Sequence, residues 1–115
     1  MRLLLADDNE MNVELATAAL DGHDITVTRD GLSALKTALE GRFDVVILDV
    51  QMPGLTGDQV CRRLREAGVT TPIIALSANA MPSDIIHGRA LGFDEYLTKP
   101  IRPEALLAAV ERYAA

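Results

Sequence analysis

The chain has 115 residues, 49% of them hydrophobic and 24% charged, which describes a single folded domain over 1–115 and excludes a disordered tail or a multidomain enzyme. Eleven basic residues against seventeen acidic ones leave a net charge of -6, and that balance argues against a broad electrostatic grip on nucleic acid or an anionic membrane. At this length roughly two thirds of the unfolded surface can be buried, so no disulfide or metal staple is needed for folding, and the lone Cys61 could form no internal bridge.

No apolar run approaches the about 20 residues of a membrane span. Strand-like residues begin at Arg2 and Leu3, leaving no room before them for the apolar core of a signal peptide. A soluble, cytoplasmic domain in a reducing compartment is expected. The only aromatics are Phe43, Phe93, Tyr96 and Tyr113, too few for a base-stacking surface.

In chain order, five short apolar runs are read as strands: 3–6, 25–28, 44–48, 72–76 and 95–98. Between them apolar residues recur at helical spacing. Val13, Ala16 and Leu20 mark a first helix, and Leu35, Ala38 and Leu39 a second, capped by Asp30 and stopped by Gly41. Val60, Leu64 and Ala67 mark a third, opened by the Thr56 and Gln59 capping-box spacing and ended by Gly68. A fourth, near 83–91, follows Pro82 and carries Gly88 in its interior, at a cost of up to about 1 kcal/mol relative to Ala. It is expected to be the softest. Leu106, Leu107 and Val110 mark a fifth behind Pro103.

Strictly alternating strands and helices predict a parallel sheet covered on both faces, because parallel crossovers need a helix and are right-handed. The runs at 3–6, 44–48 and 72–76 are continuously apolar, as buried central strands are, whereas 25–28 and 95–98 alternate and belong at the edges. The expected architecture is an α/β, flavodoxin-like doubly wound (βα)5 fold with strand order 2-1-3-4-5.

In such sheets the ligand site lies beyond the carboxyl ends of the strands. There the first strand runs into Asp7 and Asp8, the third into Asp49, the fourth into Ser77 and the fifth into Lys99. Three converging carboxylates repel one another unless protonated or bridged by a cation. An open, all-oxygen cluster suits Mg2+, and the scattered His23, His87 and Cys61 give no zinc spacing. A cation, a lysine and a hydroxyl together stabilise a phosphoryl group in transfer, with Asp49 the best-placed nucleophile. Walker A, Rossmann and nucleophile-elbow motifs are all absent, which disfavours nucleotide binding.

At these residues the chain resembles the CheY-like receiver domains of two-component response regulators over essentially its whole length. LLLADDNEMN is similar to the first strand and acidic pair, VVILDVQMPGLTG to the phosphoacceptor strand and loop, IIALSANAMPSD to the hydroxyl-bearing strand end, and GFDEYLTKPI to the lysine-proline signature. The Asp-Asp-Asn-Glu-Met-Asn opening and the Ser-Ala-Asn-Ala-Met run look most like receivers of hybrid sensor histidine kinases.

The resemblance implies that Asp49 accepts a phosphoryl group from a phosphohistidine. Asp8 would bind Mg2+ directly, Asp7 through water, and Gln51 through its backbone carbonyl. Ser77 and Lys99 would hold the phosphoryl oxygens, Ser77 and Tyr96 would switch, and the fourth helix, fifth strand and fifth helix would form the output face. It also makes Lys99-Pro100 a candidate cis bond.

The implied partners are a histidine kinase or histidine phosphotransfer domain and a downstream output domain or protein, with no direct contact to nucleic acid or membrane. The domain would be a phosphoacceptor rather than an enzyme, assisting its own phosphorylation and dephosphorylation, with any kinase activity in a separate domain. Gln51 and Asn79 flank the site and are positioned to tune hydrolysis. The turn at 21–23 is slightly short for the family, Thr56 stands where many relatives have an acid, and Ser77 replaces the commoner Thr.

Simpler readings compete at each position. Asp7 and Asp8 suit a helix cap, Lys99 a solvated edge-strand lysine, Tyr96 an ordinary core residue, Cys61 a buried inert thiol, and His23 and His87 surface residues. Two further functions compete with the whole: a receiver fold that binds partners without phosphorylation, and a metal-dependent phosphatase acting on external substrates.

Overall fold

The computed structural model describes residues 1–78 and 81–113, so Asn79 lies outside the described residues. Five strands and five helices alternate: β1 (Arg2–Ala6), α1 (Glu10–Ala19), β2 (Asp24–Thr28), α2 (Gly31–Glu40), β3 (Val45–Asp49), α3 (Gly57–Glu66), β4 (Ile73–Ser77), α4 (Pro82–Leu91), β5 (Glu95–Thr98) and α5 (Pro103–Tyr113). All strand pairs are parallel, and the sheet order is β2-β1-β3-β4-β5.

Burial follows the polarity of the runs. β3 and β4 are buried throughout and β1 from Leu3 onward, while β2 and β5 are largely half-buried edges. Because side chains alternate across a strand, Leu3, Leu5, Ile47 and Leu76 face α1 and α5. Leu4, Val46, Leu48 and Ala75 face the opposite layer, where α2 and α3 supply Ala34, Val60 and Leu64.

β3 and β4 each start one residue later than the apolar runs and end one residue beyond them. Asp44 donates its N–H to the Arg2 carbonyl (2.7 Å) but takes the Arg2 N–H on its carboxylate (2.8 Å), and Pro72, which has no N–H to give, still accepts from Val46 (2.9 Å). At the other end both strands run on to take in Asp49 and Ser77.

The helix starts follow their local chemistry. Asp30 accepts from the Ser33 N–H (2.8 Å), and Thr56 and Gln59 complete a capping box in both directions (3.0 and 3.2 Å). α1 is capped by Asn9, which accepts from the Asn12 N–H (3.1 Å), and not by Asp7 or Asp8. α4 opens on Pro82, has no side-chain cap, and buries only Gly88 of its ten residues. It has the fewest ties to the core of any helix here, the condition under which local opening is easiest.

At the amino end of β4 and β5, Arg65 of α3 spreads over three backbone carbonyls and one carboxylate. It donates to Gly92 (2.8 and 3.1 Å), Val69 (2.9 Å), Thr71 (2.8 Å) and Asp94 (2.8 Å). Asp94 in turn accepts the Ile73 N–H (2.9 Å). His23 departs from the surface position expected of it: the turn after α1 donates its N–H to the Leu20 carbonyl (3.2 Å). That leaves the ring half-buried, with Nδ1 lacking a partner among the described residues.

Candidate functional site

The parallel ladder carries each candidate side chain to the same end of the sheet, and backbone bonds beyond the strand ends hold them there. Asp7 donates its N–H to the Thr28 carbonyl (3.1 Å), Val50 to Leu76 (2.9 Å) and Lys99 to Ser77 (2.7 Å). One more fixture comes from Gly57, the first residue of α3, whose N–H bonds the Val50 carbonyl (2.8 Å). A Cβ there would fall 2.4 Å from the Asp49 carbonyl oxygen and 2.8 Å from Val50 Cα. Only glycine lets α3 start this close to the end of β3.

Oxygens of Asp7, Asp8 and Asp49 all lie within 4.8 Å of one another. Asp7 is 0% exposed, Asp49 2% and Ser77 1%, whereas Asp8 opens to solvent. Lys99 reaches in from the end of β5, its Nζ 3.0 Å from Asp49 Oδ2 and 3.6 Å from Asp7 Oδ2. Asp7 Oδ1 accepts the Asn9 N–H (2.9 Å) and Asp49 Oδ1 the Gln51 N–H (3.1 Å), as a carboxylate held by its own following turn does.

Burial pushes the Asp49 carboxyl up to about 6; the Lys99 hydrogen bond opposes this, the Asp7 charge adds to it, and the Gln51 N–H opposes it again. A strand-end carboxylate raised by burial and by a like charge, with a lysine beside it, marks Asp49 as a candidate site residue.

The donor set fits a hard divalent cation. Asp7 Oδ2 is fully buried and accepts no hydrogen bond, and among the described residues the Lys99 ammonium, 3.6 Å away, is the one cation paired with it, against two carboxylates within 4.8 Å. A buried carboxylate oxygen without a partner is costly, and a cation shared with Asp8 and Asp49 would satisfy it. All the side-chain donors are oxygens, as Mg2+ prefers. Among the described residues His23, His87 and Cys61 form no metal cluster. Cys61 is buried, its thiol 3.7 Å from the Leu91 carbonyl and pushed up to about 11 by burial, so it is protonated and inert. His87 is exposed, 3.9 Å from Asp58.

Tyr96, half-buried on β5, turns toward the α4 side, where its ring meets Phe93 edge-on (6.3 Å, 87°). A Cβ on Gly88 would lie 2.8 Å from that ring, so glycine is what lets Tyr96 pack under α4. The Lys99–Pro100 bond is cis. The sequence brought forward all five residues of the cleft. It did not single out the Asn9 cap or the Gly57 contact, although the Thr-Gly step at the start of α3 is visible in it.

Comparison with known proteins agrees with this geometry. The family model described as response regulator receiver domain matches residues 3–111. The transcriptional regulatory protein DltR of Streptococcus agalactiae is 39% identical over 112 residues, 96% of this chain and 50% of that protein. The DNA-binding response regulator MtrA of Mycobacterium leprae is 40% identical over 112 residues, 95% of this chain and 49% of its own length. The chain thus spans about half the length of these curated relatives.

Among solved structures, the receiver domain of the Francisella response regulator 1452 superposes with a TM-score of 0.92 at 34% identity, covering 98% of this chain and 95% of the other. The receiver domain of a Pseudomonas aeruginosa sensor histidine kinase, solved with a magnesium ion coordinated in its active site cleft, gives 0.88 at 33% identity and covers 98% and 96%. By its strand order, its family match and these relatives, the chain belongs to the response regulator receiver domains of two-component signalling.

Proposed function

We propose that this receiver takes a phosphoryl group onto Asp49 from a phosphohistidine of a histidine kinase or histidine phosphotransfer domain. The observation that carries the reading is the buried Asp49 carboxylate, 3.0 Å from the Lys99 ammonium and within 4.8 Å of two further carboxylates. An Asp49 oxygen forms the new O–P bond while the P–N bond of the donor breaks. The electron pair leaves on the imidazole nitrogen, and the imidazole takes up a proton.

Lys99 and the Ser77 hydroxyl, at the ends of β5 and β4, hold the phosphoryl oxygens as charge develops on them. Asp8 directly, Asp7 through water, Asp49 and the Gln51 carbonyl would hold Mg2+, which when bound neutralises the acids and the incoming phosphoryl charge. Closing of Ser77 and Lys99 on the new oxygens would bias the face formed by α4, β5 and α5, with Tyr96 as the side chain that follows. Soft anchorage of α4 and the glycine contact at Tyr96 support that face as the moving part.

We place the domain in the cytoplasm, upstream of an output domain. Relatives with DNA-binding output favour a transcriptional regulator, and the Asp-Asp-Asn-Glu-Met-Asn opening favours a hybrid kinase; the domain encoded beside this one decides between them.

Incubation with acetyl phosphate and Mg2+ is expected to give one covalent, base-labile adduct per chain, lost in Asp49→Ala and on chelation. No adduct, or an adduct retained in Asp49→Ala, would overturn the assignment. Repeated turnover of a phosphate monoester would instead make the domain a phosphatase.

A further inference from the structure

One more pair of charges stands at the mouth of the cleft, outside the proposed machinery. Arg29 follows Thr28, the last residue of β2, whose carbonyl accepts the Asp7 N–H, so the Arg29 backbone is fixed one residue from a bond to the acidic cluster. Its guanidinium donates to the carboxylate of Glu10, the first residue of α1 and two positions beyond Asp8. Both side chains are about half-exposed, 49% and 63%. The Glu10 hydrogen bond first, and more weakly the charges of Glu10 and Asp7, favour the charged guanidinium, and it is the Thr28–Asp7 backbone bond that sets the Arg29 backbone beside the cluster.

An exposed ion pair of this kind contributes about 0–1 kcal/mol to stability, so folding is a weak reason for it. Its position matters more. Asp7, Asp8 and Asp49 against Lys99 leave a formal charge of about −2 in the cleft, and Asp8 is open to solvent. A guanidinium released at the rim would meet Asp8 with two parallel N–H donors, the geometry in which Arg binds carboxylates best, and would stand where a cation must enter.

We propose that Glu10 is a positioning residue that holds Arg29 at the rim and so keeps Asp8 and the acids behind it open to a divalent cation. The inference rests on the reading of the acidic cluster as a cation site. Glu10 is the competing acceptor: with it in place, Arg29 is engaged beside the cleft; without it, Arg29 becomes a tethered competitor for the ion.

Calorimetric titration of the full chain with Mg2+ alone, at low ionic strength, tests this through a double-mutant cycle. Glu10→Gln is expected to weaken Mg2+ binding about tenfold in the wild-type background and less than about threefold in the Arg29→Gln background, because the competitor is then absent. A simple loss of negative charge at the rim would weaken binding by the same factor in both backgrounds, and that outcome overturns the proposal, as does an unchanged affinity in Glu10→Gln. Failure of the underlying reading looks different: the wild-type chain itself would take up no Mg2+, or Asp8→Asn would leave its affinity unaltered, and both ideas would fall together. Both exchanged side chains are exposed, and unfolding midpoints close to that of the wild type are expected for all the variants.

Discussion

Asp49 holds its proton to a higher pH than a carboxylate in water, and that has a measurable cost. With a native pKa of about 6 against 3.8 for the unfolded group, the folded chain retains between about pH 4 and 6 a proton that the unfolded chain releases. Stability therefore falls as pH rises through that window and levels off above it. Asp49→Asn removes the cost. In chelator-treated protein its advantage over the wild type should grow from near zero at pH 4 to about 3 kcal/mol at pH 7, as measured by denaturant unfolding. An advantage independent of pH would show that the carboxylate is not strained in this way.

The same residue shows what a sequence can disclose at this scale. Asp49 was legible because it ends a buried apolar strand, a place where a carboxylate needs a reason, whereas Ser77 and Lys99, ordinary by themselves at a strand end and on an edge, became legible only because the strand order sets them beside the acids. His23 was not legible: its burial depends on how the turn after Leu20 folds back, which no local pattern specifies.

Among the elements, α3 has two distinct fastenings at its start that should be separable by mutation. Thr56 closes a capping box, and Thr56→Ala should cost about 1 kcal/mol of stability while leaving phosphorylation of Asp49 unaltered. Gly57 holds the helix against the backbone of Asp49 itself. Gly57→Ala should cost about 1–3 kcal/mol and also slow adduct formation with acetyl phosphate, because relief of the clash moves the carboxylate. Equal labelling rates in the two variants would count against the Gly57 contact as a determinant of site geometry.

The capping box was readable from spacing, since both partners lie within four residues. The Gly57 contact was not, because its other half sits at the end of a strand eight residues earlier. The Arg65 network was hidden for a related reason: Arg62, Arg63 and Arg65 look alike in sequence, and only the fold turns Arg65 onto the carbonyls of Val69, Thr71 and Gly92.

At the scale of the whole molecule, strand order was recoverable because buried and edge strands differ in pattern, and parallel crossovers admit few topologies. That order is what gathers residues 7, 8, 49, 77 and 99 at one end of the sheet. If the gathered acids take up an ion only when folded, saturating Mg2+ should stabilise the chain globally, by roughly 3 kcal/mol at a hundredfold excess over Kd, reversibly on chelation. The gain should be largely lost in Asp8→Asn. An unfolding midpoint indifferent to Mg2+ would argue against a preformed site.

Asn9, and not its acidic neighbours, secures the start of α1. Asp8 is thereby relieved of scaffolding work, while Asp7 steadies the backbone of the cap through Oδ1 and keeps Oδ2 for an ion, which can come and go without fraying the helix behind it. Structural duty and reactive duty sit on adjacent residues of one turn, which leaves the chemistry of the mouth adjustable by substitution while the frame around it stays wound.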